Sequence, residues 1–240
     1  MRMEELTAEE FQERVDQNIL VIVPIGATEA HGIHLPLGTD TFQPQMVADC
    51  LAKRIGALVA PALPYGNHSS TRNMPGTVNL QFDTLRALMR DILFSLADHG
   101  VKRILLLSGH AGSAHMIALR EAAKELVAHR PVKVMLLTDY DLAREYASRC
   151  EVDPHDGHGG AIETARMMAI RPDCVRARMV KGEFVDPGYL VLPDPERCFP
   201  HGMAGDPRMA NAEMGEKMNQ YVVDRLAEII EKEMRSEDES

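Results

Sequence analysis

The segment Ile19-Leu20-Val21-Ile22-Val23-Pro24-Ile25-Gly26 indicates which kind of fold this chain adopts. It is an uninterrupted apolar run, rich in β-branched residues and closed by a glycine. Such a run is typical of a strand that is buried on both faces, as in a parallel sheet covered by helices on either side. The segment therefore predicts an α/β protein with this strand near the middle of the sheet.

The rest of the chain alternates apolar runs with longer segments of helical spacing, which is typical of β-α units around a largely parallel sheet. Further strands are predicted at 57–63, 102–108 and 133–138, and helices at 41–55, 84–98, 113–129, 161–169 and 207–234. The stretches 64–78 and 181–206 lack periodicity, and long loops of this kind are usually lids or interface segments. No repeat or linker divides the sequence, so we predict one domain over 1–240, with 235–240 as a frayed tail.

Composition excludes several classes of protein. The chain has 240 residues, 45% of them hydrophobic, and its formal net charge of −10 argues against a nucleic-acid partner or an anionic membrane surface. No apolar run approaches the roughly 20 residues of a membrane span, and no signal peptide is expected at the start. The 4 cysteines are scattered, so free thiols in a cytoplasmic protein are expected. A small-molecule substrate fits these properties.

Metal-binding side chains directly follow the first strand, in the segment Glu29-Ala30-His31-Gly32-Ile33-His34-Leu35-Pro36-Leu37-Gly38-Thr39-Asp40. In open α/β sheets, ligands bind beyond the carboxyl ends of the strands, which is where this segment lies. In an extended chain Glu29 and His31 leave the backbone on the same side, and Asp40 returns after a loop. Carboxylate and imidazole groups together suit zinc, manganese or iron.

Other polar residues are expected to meet this segment at the same edge of the sheet. His110 follows the strand at 102–108, while His158 precedes the helix at 161–169 and Glu163 lies in its first turn. The chain has no Gly-x-Ser-x-Gly elbow and no cysteine beside a suitable base. Hydrolysis would therefore need an activated water, which a metal ion provides.

Each of these residues also has a simpler interpretation. Asp40 can cap the helix at 41–55, with Gln43 completing a capping box. Glu163 is favoured near a helix N-terminus by the helix dipole. The segment Ser108-Gly109-His110-Ala111-Gly112-Ser113 can form a backbone nest for a phosphate, although it lacks Walker and dinucleotide spacing. Five metal-type side chains at strand ends and helix starts would need as many independent explanations, so we favour a metal site.

Four motifs, taken together, resemble those of the creatininase (creatinine amidohydrolase) family: Glu29-x-His31-Gly32 with Asp40, Pro75-Gly76-Thr77, Ser108-Gly109-His110, and His158-Gly159-Gly160-x-x-Glu163-Thr164. The resemblance implies a three-layer α/β/α fold with a largely parallel central sheet, usually in a homohexamer. It also implies two divalent metal ions per chain, with zinc preferred and manganese or iron as alternatives. Members of the family cleave a non-peptide or cyclic C–N bond with a water activated between the two ions.

The resemblance also implies roles for individual residues. Glu29 and His110 would hold one ion and His31 the other, with Asp40 bridging them. His158 matches a family histidine that acts near the scissile bond as a proton donor or orienter. The residues expected to line the site or to lie close to the substrate are Pro75, Gly76, Thr77, Gly159 and Gly160.

Two departures from creatininase bear on the substrate and the metals. Creatininase has a glutamate ligand two residues after the histidine that matches His110, whereas this chain has Gly112. Glu163 is the natural replacement, acting as a metal ligand or as the base that orients the water. Creatininase also closes tryptophans over its substrate, and this chain has none. Creatinine itself is therefore disfavoured, and another small cyclic amide or related substrate is expected.

Three other functions stay open. A deformylase of a formamidopyrimidine nucleotide would need phosphate recognition, for which Arg72, Arg103 and Lys181 are candidates. An enzyme that trims a modified peptide is a second alternative on the same fold. A non-catalytic metal-dependent binding or assembly subunit belongs to a different class, and it is disfavoured because binding alone does not need the proton donor His158.

Overall fold

The computed structural model of the protein describes residues 1–150 and 152–234. Within these residues the sheet has four strands, in the order β2-β1-β3-β4, and every neighbouring pair is parallel. The strands are β1 (Leu20–Ile25), β2 (Leu58–Val59), β3 (Arg103–Ser108) and β4 (Lys133–Thr138). The predicted parallel sheet is thus confirmed, with the first apolar segment in an interior position. The tail predicted at 235–240 lies outside the described residues.

The helices flank this sheet. They are α1 (Ala8–Asp16), α2 (Thr39–Ile55), α3 (Phe82–Asp98), α4 (Ser113–His129), α5 (Asp139–Ala147), α6 (Ala161–Ile170) and α7 (Ala212–Glu233). Helices α1 and α5 were not predicted, because each is only 9 residues long, which is shorter than the stretch over which a helical period is recognised. Side-chain caps start both helices, with Thr7 at α1 and Thr138 at α5.

Two other predicted elements differ from the structure. The strand expected at 57–63 is continuous only over Leu58–Val59 and resumes as a single bridge between Leu63 and Ile25, because Pro61 has no N–H to donate to a neighbouring strand. The helix expected at 207–234 is divided into a short 3-10 turn (Pro207–Met209) and α7. Asn211 makes this break, since its side chain accepts a hydrogen bond from the backbone N–H of Met214 and so caps α7.

Apolar side chains cover the sheet on both faces. Along β1, Leu20 and Ile22 join a cluster with α2, α5, α6 and α7, whereas Val21 and Val23 join a cluster with α1, α3 and α4. This alternation follows from the two-residue period of a strand, and it requires the fully apolar sequence of β1. The three-layer α/β/α fold is therefore confirmed. In the described part of the chain, no helix is long and apolar enough to cross a membrane.

Two glycines bring the start of α2 against the carboxyl ends of β1 and β3. These strands end side by side, since Ile25 pairs with Ser108, and Gly26 and Gly109 are the next residues. A Cβ atom at Gly26 would collide with the backbone and side chain of Thr41, and one at Gly109 would collide with the carbonyl of Asp40. The absence of both side chains therefore lets Asp40 approach the ends of two central strands.

Candidate metal centre

Five of the predicted site residues meet at the carboxyl edge of the sheet. Four of them are almost inaccessible to solvent, with relative exposures of 3% for Glu29, 0% for His31, 2% for Asp40 and 6% for Glu163. His110 is also buried. Buried ionisable groups are rare unless they are paired or hold a metal. The structure therefore brings together the residues that the sequence suggested as metal ligands.

His31 is oriented by the backbone and faces two carboxylates. Its Nδ1 atom donates a hydrogen bond to the carbonyl of Glu29 at 3.0 Å, which fixes the tautomer. Its Nε2 atom lies 2.9 Å from Oδ1 of Asp40 and 3.7 Å from Oε2 of Glu163. This outer hydrogen bond to a carbonyl is the usual support of a metal-binding histidine.

His110 faces the other oxygen of Asp40. Its Nδ1 atom lies 3.0 Å from Oδ2 of Asp40 and 3.0 Å from Oε2 of Glu29. Its Nε2 atom donates to the carbonyl of Asn67 at 3.1 Å, again an outer hydrogen bond to the backbone. The two carboxylate oxygens of Asp40 therefore point to two different histidines.

Asp40 lies inside the first turn of α2 rather than at its cap. The helix begins at Thr39, its N-cap is Gly38, and no side chain caps it. The alternative in which Asp40 and Gln43 form a capping box is therefore wrong. The helix thus starts two residues earlier than predicted, with Gly38 at the cap and Thr39 as the first helical residue. Because Asp40 does not cap the helix, both of its oxygens can face the site.

The unpaired atoms of the cluster fit a divalent metal ion. Oε2 of Glu29 and Nε2 of His31 lie close to partner atoms but make no hydrogen bond among the described residues. Three groups of side chains each have ligand atoms within 4.8 Å of one another. They are Glu29–His68–His110, Glu29–His31–His158 and His31–Asp40–Glu163. Nitrogen and oxygen atoms that converge in this way, some of them without a hydrogen bond, match the ligand preferences of zinc, manganese or iron.

The electrostatics of the cluster favour positive charge at its centre. Burial would lower the pKa of His31, but the carboxylates of Asp40 and Glu163 raise it to about 10. Burial would likewise raise the pKa of Glu29, but His110 and His158 hold it well below its ordinary value. In Glu163 burial prevails and raises the pKa of the carboxyl group. The same field that stabilises a protonated imidazole would stabilise a bound cation.

His158 lies on the wall of a cavity that opens onto this cluster. The cavity has a volume of about 340 Å³ and is lined in part by Glu29, Asp40, His110 and Glu163. The Nε2 atom of His158 donates to the carbonyl of Ala30 at 2.7 Å, and the ring centroid lies 4.1 Å from that of His31. His158 is therefore held beside the cluster and remains accessible from the cavity.

The predicted substrate-binding residues do not line this cavity. Thr77 accepts a hydrogen bond from the backbone N–H of Ala30 at 3.0 Å, and Gly159 donates its N–H to Oε2 of Glu163 at 2.6 Å. Gly160 is the N-cap of α6. Pro75 and Gly76 form an exposed turn. These contacts position the metal cluster, and direct contact of the five residues with a substrate stays a prediction.

Sequence reasoning missed two polar side chains of the site, His68 and Thr71. Both are buried, and Thr71 donates a short hydrogen bond to Oε1 of Glu29. They belong to the aperiodic stretch 64–78, which was predicted to be functional, but no spacing within it indicated which residues turn inward. A histidine in a long loop close to a Pro-Gly turn was the available signal.

Comparisons with known proteins agree with this geometry. A family model described as "Creatininase: Creatinine amidohydrolase" matches residues 4–230. The creatinine amidohydrolase of Pseudomonas putida is 33% identical, over 95% of this chain and 95% of its own length. The mycofactocin precursor peptide peptidase of Mycobacterium ulcerans is 29% identical, over 85% of this chain and 81% of its own. A solved variant of creatininase, described as the Zn-Zn type, is 32% identical, with a TM-score of 0.87 over 98% of each chain.

Proposed function

Because the chain belongs to the creatininase family, it is a hydrolase of C–N bonds, and we propose that its substrate is a small cyclic amide or a related compound. The observation that carries this proposal is the position of Asp40, whose two oxygens face His31 and His110 on opposite sides. A carboxylate between two ligand groups suits a centre of two metal ions. The proposal therefore includes two divalent ions per chain, zinc in preference to manganese or iron.

The ligands divide into two sets that share Asp40. Glu29 and His110 would hold one ion, and His31 and Glu163 the other. Support for this division comes from the distances above and from the groups Glu29–His68–His110 and His31–Asp40–Glu163. The related creatininase structure described as Zn-Zn supports the number of ions. Glu163 would then belong to the set of His31, where it would replace the additional glutamate that creatininase has at the position of Gly112.

Bound divalent ions supply Lewis acidity that lowers the pKa of water towards about 7 and stabilises negative charge on a carbonyl oxygen. The side chains of the protein manage the protons. His158, on the cavity wall, would give a proton to the departing nitrogen, which otherwise leaves as a poor anion. Burial raises the pKa of Glu163, which suits this carboxylate to take a proton from water in addition to binding an ion.

Of the other functions, the trimming of a modified peptide keeps the most support. The related mycofactocin precursor peptide peptidase is its basis. The nucleotide deformylase has less, because two of its three phosphate candidates bind backbone carbonyls, and only Lys181 lines a cavity together with His158. Arg103 donates to the carbonyls of Asn18 and Met234 at the opposite end of β3, and Arg72 donates to the carbonyl of Pro193.

The remaining expectations concern the whole molecule. We propose a single domain over 1–240, and a homo-oligomer that the family resemblance suggests is a hexamer. Its interface, or a lid over the site, would include Tyr189, Leu190, Val191 and Leu192 of the stretch 181–206, the first three of which are exposed. The cytoplasmic location expected from the sequence stays a prediction.

The test of this function is metal content combined with turnover. The protein would be purified without a chelating tag, and its ions per chain counted by elemental analysis. Cyclic amides, hydantoins, formamides and short peptides would then be assayed with and without chelator. About two ions per chain and a chelator-sensitive ring opening of a cyclic amide are expected. A protein that binds no divalent ion after reconstitution would contradict the proposal, and cleavage of peptides alone would favour the second function.

A further inference from the structure

The ion that Glu29 and His110 would hold has few protein ligands. Apart from these two residues it has only the shared Asp40, whose Oδ2 lies 3.0 Å from Nδ1 of His110. Position 112, two residues after His110, is a glycine, and a Cβ atom there would lie 2.5 Å from Nε2 of His110, so the site leaves no space for a ligand side chain at that position. Any further protein ligand must therefore come from another part of the chain.

His68, from a different part of the chain, lies beside Glu29 and His110. It is 2% exposed, its Nδ1 atom lies 3.3 Å from Oε1 of Glu29, and its ring centroid lies 4.8 Å from that of His110. Neither of its ring nitrogens makes a hydrogen bond among the described residues. Leaving a buried polar atom without a hydrogen bond costs about 1–3 kcal/mol, so a buried histidine that approaches a carboxylate but does not hydrogen-bond to it needs an explanation.

Packing alone does not provide that explanation. His115 is equally buried and lies at a similar distance from His110, with 4.9 Å between ring centroids. Both of its ring nitrogens are nevertheless paired, one with Ser108 and the other with the backbone N–H of Asn67. A histidine that serves only the core of this region is thus fully hydrogen-bonded, and His68 is not.

The backbone holds His68 in place. Its N–H donates to the side chain of Asn79 at 2.7 Å, and the side chain of Asn67 donates to the carbonyl of Leu80 at 2.8 Å. The carbonyl of Asn67 also accepts the outer hydrogen bond of His110. One dipeptide therefore orients His110 and presents His68, which is the kind of preorganisation that metal ligands require.

We propose that His68 is a ligand of the ion held by Glu29, Asp40 and His110, and that the two metal sites are consequently unequal. This inference rests on the proposed metal-dependent function. With His68, one ion has four protein ligands and a nearly closed coordination shell, which is typical of tightly held zinc. The ion of His31, Asp40 and Glu163 has three, which leaves a position for water or substrate. The first ion would be the more firmly bound, and the second the site of the reaction.

The experiment compares zinc binding by the wild-type protein, His68→Gln and the matched control His115→Gln. Zinc affinities would be measured by competition with a chromophoric chelator, and zinc ligands by X-ray absorption. The wild type is expected to release its ions in two steps and to have three imidazoles per two zinc ions. His68→Gln should lose at least about 100-fold in affinity at the tighter step and one imidazole, since even outer-residue losses cost 10–100-fold. His115→Gln should keep both steps.

Other outcomes would overturn the inference. If the His68→Gln variant keeps both zinc affinities and all three imidazole ligands, His68 is not a zinc ligand. An equal loss in His115→Gln would attribute the effect to displacement of the loop. If the wild-type protein binds two zinc ions with only two imidazoles, His68 is not a ligand, but the proposed function stays intact. A wild-type protein that binds no zinc would reject both.

Discussion

Oδ2 of Asp40 lies 3.0 Å from Nδ1 of His110, although 70 residues separate the two in sequence. The contact exists because β1 and β3 are neighbours, and because Gly26 and Gly109 leave room for the start of α2 between their ends. The same carboxylate faces His31 with its other oxygen. The first turn of one helix thus joins the two halves of the proposed metal centre.

Replacing Asp40 should therefore affect both ions at once. In Asp40→Asn one carboxylate oxygen is replaced by an NH2 group, and the side chain loses its negative charge. Each of the two ions would then lose part of the binding that Asp40 shares with His31 and His110. We expect metal content to fall from about two ions to one or none, and hydrolysis to fall by more than the 10–100-fold typical of an outer residue. Elemental analysis and chelator-sensitive turnover measure the two effects. Full metal content would show that Asp40 does not bridge the ions.

His158 should affect the reaction without affecting the metals. Its Nε2 atom donates a hydrogen bond to the carbonyl of Ala30, and its ring lies on the cavity wall. We expect His158→Ala to lower kcat by about 10²–10⁴-fold, which is the range for a lost general acid, with both ions still bound. A substrate with a better leaving group should lose less. Loss of an ion in this variant would instead identify His158 as a ligand.

Adding a carboxylate at position 112 should weaken metal binding. The Cβ atom of Gly112→Glu would lie 2.5 Å from Nε2 of His110 and would push that ring away from the carbonyl of Asn67. We expect zinc affinity to fall by about 10–100-fold, as for a lost outer hydrogen bond. The zinc affinity of Gly112→Ala should fall by the same factor. The zinc affinity of Ala111→Glu, which changes an exposed position, should not fall. Tighter binding by Gly112→Glu would mean that the new carboxylate reaches the ion.

Arg166 should be important for stability rather than for catalysis. This residue is fully buried, and its guanidinium donates to Asp139 at 2.6 Å and to Asn219 at 2.9 Å, which ties α6 to α5 and α7. In Arg166→Met the carboxylate of Asp139 would remain buried without a cation. We expect the free energy of unfolding to fall by about 3–5 kcal/mol in urea denaturation.

The control for this prediction is the exposed ion pair between Arg90 and Glu125, whose closest atoms lie 2.6 Å apart. Arg90→Met should cost less than about 1 kcal/mol, because solvent screens a surface pair and its side chains lose entropy on pairing. Similar losses in the two variants would show that the buried pair contributes no more than the exposed one.

His34 should make the protein sensitive to acid. Burial, and then the charge on His31, lower the pKa of His34 to about 4, whereas an unfolded histidine titrates near 6.5. This contribution to stability is complete above pH 6.5 and is lost as the pH falls through about 4. His34→Gln keeps a partner for Thr164 and does not titrate. In chelator, the wild type should lose about 2–3 kcal/mol more than the variant between pH 7 and 4. Parallel stability curves would contradict this assignment.

The sequence by itself determined the sheet and its helices. Continuous apolar runs identified β1 and β3, and helical spacing identified α2, α3, α4 and α6, because these patterns reflect burial that repeats with the period of each element. The predicted helix at 113–129 matches α4 at both ends. Helices α1 and α5 were missed, since each has only 9 residues, too few to establish a period.

The position of the site also followed from the sequence, because the carboxyl ends of neighbouring parallel strands meet at one edge. Only the tertiary structure shows how the candidate ligands are grouped in space. It placed Glu163 with His31, freed Asp40 from the helix cap, and turned His68 inward. These outcomes depend on contacts between distant segments, such as the hydrogen bond from His68 to Asn79 and the approach of Gly109 to Asp40. Local sequence patterns carry no information about such contacts, since they arise only when the complete fold brings the loops together.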